Sequence, residues 1–204
     1  FATQPLASEQ ETIKVPGLAY HGDFLSADEA ARIVAHIDNA DWITDLKRRV
    51  QHYGFKYDYK AKSVDESMRI ADIPLWAERM GNRLVNLGLF STVPDQVIVN
   101  EYLPGQGITP HVDCVPCFGE AVASVSLVSP CVMRFISLHG KGTVDVDLIP
   151  GSVVLIAGES RYEWKHGIMA RKCDRIDGVV RPRARRISAT FRTVILKQNR
   201  HNRK

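Results

Sequence analysis

Two residues capable of holding one metal, His111 and Asp113, close the stretch Val99-Asn100-Glu101-Tyr102-Leu103-Pro104-Gly105-Gln106-Gly107-Ile108-Thr109-Pro110-His111-Val112-Asp113. In an extended segment, positions i and i+2 leave the chain on the same face, so the imidazole and the carboxylate stand side by side. They can take adjacent corners of a metal. With a distant second His they complete the two-His, one-carboxylate set of non-haem Fe(II) oxygenases. A chain with seven His also produces a His-x-Asp by chance on a solvated turn, so the pair alone does not decide.

Two further stretches bear on the question. Arg186-Ile187-Ser188-Ala189-Thr190-Phe191-Arg192 alternates polar and apolar and reads as a strand with Arg186, Ser188, Thr190 and Arg192 on one face. An edge strand guarded by charge has the same pattern. If the polar face is enclosed instead, its guanidinium groups require anions, and their planar fork matches a carboxylate. Gly158-Glu159-Ser160-Arg161-Tyr162-Glu163-Trp164-Lys165-His166-Gly167-Ile168 follows the apolar run Val153–Ala157 and offers His166 as the third ligand. Taken alone, His166 reads as a surface residue beside a turn glycine.

Together the pattern Asn-x-Tyr, His-x-Asp, a distant His and Arg-x-Ser-x-Thr-Phe-Arg, from about Val97 to Arg192, resembles the AlkB family of Fe(II)- and 2-oxoglutarate-dependent dioxygenases. The resemblance implies that His111, Asp113 and His166 bind Fe(II), and that Asn100, Tyr102, Arg186 and Arg192 contact 2-oxoglutarate, Arg186 at its distal carboxylate. Ser188 and Thr190 belong to the same motif. It also implies a nucleotide-recognition lid, where Arg49 and Tyr53 are the candidate substrate contacts. Repair-type members carry an acid two residues after His-x-Asp. Here that place is Val115; Glu159 or another acid is the candidate in its stead, and Arg161 is a further candidate substrate contact. The implied reaction uses O2, converts 2-oxoglutarate to succinate and CO2, and hydroxylates a substrate C–H. An N-methylated base would then lose formaldehyde.

The stretches Asn-Glu-Tyr-Leu-Pro-Gly-Gln-Gly-Ile-x-Pro-His and Gly-Glu-Ser-Arg-Tyr-x-Trp-x-His-Gly-Ile resemble the branch that includes tRNA wobble-uridine hydroxylases and related bacterial dealkylases. The leading expectation is oxidative dealkylation of damaged DNA or RNA bases. Hydroxylation of a tRNA wobble uridine stands close behind. A protein hydroxylase, and a basic β-sandwich that binds nucleic acid without chemistry, are the alternatives from other classes.

These residues need a frame. The 204 residues, 45% hydrophobic and 25% charged, suit one globular domain with a sizeable core. There is no internal repeat and no long uncharged apolar run, so no membrane span is expected. The first residues lack the basic-then-apolar order of a signal peptide. The chain begins with Phe1, from which a longer product is expected, and Phe1–Glu11 reads as a loose tail. Cys114, Cys117, Cys131 and Cys173 are expected as reduced thiols in a cytoplasmic or, in a eukaryote, nuclear protein. The Cys114-x-x-Cys117 spacing has a weaker reading as part of a zinc site. A monomer is expected.

Ser26-Ala27-Asp28-Glu29 is a capping box opening a helix whose buried face is Ala30, Ile33, Val34 and Ile37, with Trp42 beneath it. A second helix is expected over Pro74–Leu87, with Leu75, Met80, Leu84 and Leu87 inward. Val15–Leu25 reads as a short strand. Val50–Tyr59, rich in aromatics after Lys47-Arg48-Arg49, reads as a base-stacking lid or as a hairpin with cross-strand aromatic packing. Ala123–Val128, Cys131–Ile136 and Val144–Leu148 read as further strands. Many short strands with close turns imply a sandwich or barrel. With the resemblance, the expected fold is α+β but mainly β: a double-stranded β-helix (jelly roll) over 97–192, residues 12–90 carrying the helices and lid, and a basic tail over 193–204. The formal charge is +4, yet Arg171, Lys172, Arg175, Arg181, Arg183, Arg185, Arg186 and Arg192 crowd the last third, against Asp174 and Asp177. Lys197, Arg200, Arg203 and Lys204 follow. Such clusters are the electrostatic footprint of single-stranded DNA, RNA or tRNA, or else a solubilising face.

Overall fold

The computed structural model describes residues 15–44, 47–58, 61 and 63–196. The expected N-terminal tail, Tyr59 and the basic residues from Lys197 onward lie outside these. The strands are β1 Leu18–His21, β2 Val50–Phe55, β3 Arg69–Ala71, β4 Gln96–Tyr102, β5 Ile108–His111, β6 Phe118–Leu127, β7 Cys131–Ser137, β8 Thr143–Leu148, β9 Val153–Ala157, β10 Trp164–Ile168, β11 Cys173–Ile176, β12 Val179–Pro182 and β13 Arg186–Val194. The helices are α1 Ala27–Asp38, α2 Leu75–Asn86 and the short α3 Gly158–Tyr162. A seven-stranded sheet runs β1-β9-β6-β13-β4-β2-β3 and faces a four-stranded sheet β5-β10-β7-β8, while β11 and β12 form a separate hairpin. This is the mainly β, jelly-roll architecture expected from the sequence. Among the described residues, no helix is long and apolar enough to cross a membrane.

The period-2 alternation of the large sheet organises everything else. On one face Val97, Val99, Ala121, Ala123, Val125, Ile187, Ala189 and Phe191 pack with Ile33 and Ile37 of α1 and Met80 and Leu84 of α2. On the other, Tyr102, Val122, Val154 and Ile156 join Phe135, Leu148, Trp164 and Ile168 from the small-sheet side. β13 pairs with β4 on one side and β6 on the other, so it is a central strand and not a charged edge. Its polar residues Arg186, Ser188, Thr190 and Arg192 are therefore enclosed between the sheets.

The Ser26–Glu29 capping box is present: Glu29 N donates to Ser26 Oγ (3.2 Å) and Ser26 N to Glu29 Oε2 (2.9 Å). Helix α2 corrects the sequence reading. Its buried stripe is Ala77, Met80, Gly81 and Leu84, while Leu75 and Leu87 are exposed. Leu75 is two residues, or about 200°, from Ala77 around the helix, and Leu87 is the C-cap, beyond the packed turn. The strand expected over Val15–Leu25 is confined to β1, and β9 runs directly into the short helix α3. Cys114 and Cys117 form a disulfide, against the expectation of reduced thiols or zinc ligands. Cys117 N and Phe118 N both donate to Cys114 O at 3.1 Å, a tight turn that brings the Cα atoms within 5.3 Å. Cys131 (buried) and Cys173 (exposed) are free thiols.

Among the described residues, most of the arginines of the last third are held in internal ion pairs. Arg171 and Arg183 pair with buried Asp174, Arg181 with Asp147, and Arg185 with Glu101 and Asp38. Among the described residues only Lys172 and Arg175 of that run lie outside both these ion pairs and the inner cavity. The phosphate footprint there is thus far smaller than the composition implies.

One clamp ties the helices together. Arg83 of α2 donates to Glu29 Oε1 (2.6 Å) and to Phe24 O (2.6 Å). The hydrogen bond from Arg83, helped by that from Ser26 N, holds the Glu29 carboxyl down at about 2. A carboxyl depressed in the folded state stabilises above its unfolded value, and that contribution fades as pH falls from about 4.5 to about 2. Glu29→Gln is therefore expected to lower Tm at pH 7 and to make little difference near pH 2. A Tm gap that stays constant across this range, read by calorimetry, would contradict the clamp.

Candidate metal and co-substrate site

Antiparallel pairing of β10 with β5 sets His166 directly opposite His111. The ring centroids are 4.6 Å apart, and Asp113 lies just past the end of β5. His111 Nε2 is 3.9 Å from Asp113 Oδ1 and His166 Nε2 is 3.8 Å from Asp113 Oδ2. The three ligand atoms lie within 4.8 Å of one another. This close approach depends on Gly167: a Cβ there would meet Ile108 O, Pro110 N and Pro110 Cα at 2.8 Å.

The protonation states suit a cation. His111 Nδ1 is 2.8 Å from Thr109 O, which can only accept. Nδ1 is therefore the donor of that hydrogen bond, which leaves Nε2 as the ring atom that can ligate a metal. Burial pushes the His166 imidazole down to about 4, so it is neutral at pH 7. Burial would raise the Asp113 carboxyl, but the Arg192 guanidinium beside it holds it well below the usual carboxylate range. Arg192 donates to Asp113 Oδ1 at 3.0 Å, whereas Asp113 Oδ2 is buried with no hydrogen-bond partner. A bare buried carboxylate oxygen beside two imidazole lone pairs fits a divalent cation, and the donor set is that of non-haem iron.

A cavity of about 670 Å³ opens from these ligands. Asn100, Tyr102, Arg186, Ser188, Thr190 and Arg192 all line it. Arg186 is 2% exposed, donates to Ser126 Oγ at 3.0 Å, and leaves Nε and one terminal nitrogen buried and unpaired. Each such donor costs about 1–3 kcal/mol, and more on a charged group, until an acceptor arrives. A carboxylate supplies two, bidentately. A dicarboxylate that reaches from the metal to Arg186 fits these residues.

The 2OG-Fe(II) oxygenase superfamily pattern matches residues 39–192. The bovine mitochondrial alpha-ketoglutarate-dependent dioxygenase alkB homolog 7 is 31% identical over 74% of this chain and 70% of its own. The chain belongs to the AlkB family of 2OG-Fe(II) oxygenases. An Arabidopsis thaliana alkylated DNA repair protein ALKBH8 homolog is 33% identical over 93% of this AlkB chain and 62% of its own length. A Xenopus tropicalis tRNA (carboxymethyluridine(34)-5-O)-methyltransferase alkbh8 is 36% identical over 78% of this chain and 26% of its own. The chain thus spans less than two thirds of either of these two relatives. The solved structure of OsALKBH1 shares the fold, with a TM-score of 0.67 at 19% identity over 87% of this chain and 97% of the other.

The four residues expected at the substrate lie elsewhere. Arg49 forms a bidentate pair with Glu101 (2.6 and 2.7 Å) and covers the Trp42 ring on the helix side. Tyr53 packs edge-on against Trp76 and bonds Gln51 Oε1 (3.0 Å). Both err by one residue of parity: Val50 pairs with Asn100, so positions 48, 50 and 52 share the cavity face while 49, 51 and 53 face the helices. Glu159 is bound by Lys141 (2.7 Å) and the Trp164 indole (3.2 Å). Arg161 is 1% exposed and reaches the carbonyls of Asp113 (2.9 Å), Phe118 and Gly119 (both 3.4 Å). It positions the ligand loop and is not among the residues lining the cavity. Lys47, Arg48 and Tyr57, which do line the cavity, were within the basic and aromatic stretches but were not singled out.

Gly167→Ala is expected to push β10 off β5 and weaken Co(II) or Mn(II) binding about tenfold or more, the loss typical when metal ligands are disoriented. An unchanged metal affinity in a folded variant would mean that the two strands do not set the His111–His166 spacing.

Proposed function

We propose that this AlkB protein oxidises alkylated nucleic-acid bases, removing N-alkyl groups from single-stranded DNA or RNA. The observation that carries this is the cavity itself. It is larger than a five-carbon dicarboxylate needs, and its wall carries Lys47, Arg48 and Tyr57 beside the metal ligands. Tyr57 packs on Phe118 with ring centres 5.3 Å apart, presenting an aromatic wall against which an extruded base can stack. Relatives named for alkylated DNA repair and for tRNA uridine modification support a nucleic-acid substrate.

Bound Fe(II), with 2-oxoglutarate and O2, supplies the oxidation: decarboxylation to succinate and CO2 coupled to hydroxylation of a substrate C–H. The residues provide the setting. Arg186 holds the distal carboxylate, and the Tyr102 ring lies against its guanidinium (5.5 Å). Arg192 keeps Asp113 ionised and fixed. Ser188 and Thr190 offer hydroxyls on the same wall. The apolar side chains Val122, Met133, Ile156 and Ile168 limit water around the reacting carbon. A hydroxylated N-methyl group then expels formaldehyde and restores the base.

A second reading, hydroxylation of a tRNA wobble uridine, is favoured by one observation: Val115, 46% exposed, stands where repair-type members carry an acid. It yields succinate without formaldehyde. Product analysis with methylated single-stranded DNA, RNA and tRNA separates the two. Matched succinate and formaldehyde are expected, and succinate alone with tRNA would favour the second reading. Tyr57→Ala is expected to cut substrate-dependent turnover by about tenfold while sparing the slow substrate-free decay of 2-oxoglutarate. Equal losses in both would remove Tyr57 from substrate binding.

A further inference from the structure

The three cations of Lys47-Arg48-Arg49 meet different fates. Arg49 is spent on Glu101, which Arg185 also binds (2.7 Å), and Lys47 is exposed. Arg48 turns inward. Because Val50 sits opposite Asn100 in the β2–β4 register, a residue two positions earlier comes level with Tyr102. The side chain follows: Arg48 Nε donates to Asn100 Oδ1 at 2.8 Å, and its guanidinium carbon lies 5.7 Å from the Tyr102 ring centre. Arg186 approaches the same ring at 5.5 Å. Two guanidinium groups thus share one aromatic ring at the co-substrate end of the cavity. Among the described residues, neither is in an ion pair. Like charges gathered around one ring in a part-buried site call for an anion between or beside them.

We propose that Arg48 is a positioning residue for 2-oxoglutarate: it holds Asn100 and the Tyr102 ring in their co-substrate geometry and adds a second cation facing the distal carboxylate. It belongs to the segment leading into β2, outside the β core that carries the other co-substrate residues. The segment covering the cavity therefore takes part in co-substrate binding. The inference rests on the co-substrate site and is independent of which macromolecule is oxidised.

The test is calorimetric titration of 2-oxoglutarate into the Mn(II)-loaded chain without nucleic acid. Arg48→Gln is expected to raise the 2-oxoglutarate Kd about 3- to 10-fold, the worth of one good hydrogen bond, with Mn(II) affinity unchanged. Arg48→Lys keeps the charge but loses the planar fork, and should fall between wild type and Gln. It carries the test if the Gln variant loses Mn(II). Combined with Asn100→Ala, the Arg48→Gln loss should be smaller than in the wild-type background, because Arg48 acts partly through Asn100. A 2-oxoglutarate Kd within experimental error of wild type in both Arg48 variants overturns the proposal. If nucleic-acid affinity falls while that Kd stays put, Arg48 serves the substrate instead and the proposal is likewise wrong. Full multiplicativity with Asn100→Ala would refute the route through Asn100.

Discussion

Asp113 is a buried carboxylate that must stay charged, and the architecture around the site answers that requirement. Its Oδ1 is held by Arg192 from β13, and its Oδ2 is left bare toward His166. Its own carbonyl is gripped by Arg161 from α3. Strands β5, β10 and β13 and helix α3 thus converge on one residue. Stripping a carboxylate of water without partners costs several kcal/mol. Here the fold supplies one arginine to the side chain and another to the backbone, and leaves one oxygen for a cation. The same logic recurs at Arg186, a buried guanidinium with two unpaired donors. One group is short of a cation and the other of an anion, and both line one cavity. A metal-chelating dicarboxylate satisfies both.

The alternation of β13 and β4 made much of this readable beforehand. Arg186, Ser188, Thr190 and Arg192 share a face because a strand repeats every two residues, and that face proved to be the cavity wall. His111 and Asp113 were legible from the same period. That His166 lies directly across from His111 was not, since strand order depends on long-range pairing that local pattern does not encode. Parity failed in β2, where Gln51, His52 and Tyr53 put polar groups on both faces, so the sequence offered no clear inside. Gln51 is buried and donates to Ile37 O, and that contact settles which face meets α1.

Charge was the least legible property. Arg161 reads as a substrate contact, yet it is almost wholly buried, and its meaning lies in four backbone carbonyls that no motif marks. The arginines of the last third read as a nucleic-acid surface, but acids distant in sequence neutralise four of them: Asp38, Glu101, Asp147 and, nearer by, Asp174. Of the Lys47-Arg48-Arg49 cluster, Lys47 and Arg48 line the cavity, Lys47 exposed and Arg48 turned inward onto Asn100.

The site requires a single ligand that bridges the metal held by Asp113 and the guanidinium of Arg186. The most direct measurement is an anaerobic absorption titration of 2-oxoglutarate into the Fe(II)-loaded chain, alongside Asp113→Asn and Arg186→Leu. A visible charge-transfer band should grow to saturation at equimolar 2-oxoglutarate in the native chain. It should be absent in Asp113→Asn and need far more 2-oxoglutarate in Arg186→Leu. A native chain without the band, or an Arg186→Leu variant that saturates as the native chain does, would contradict that bridge.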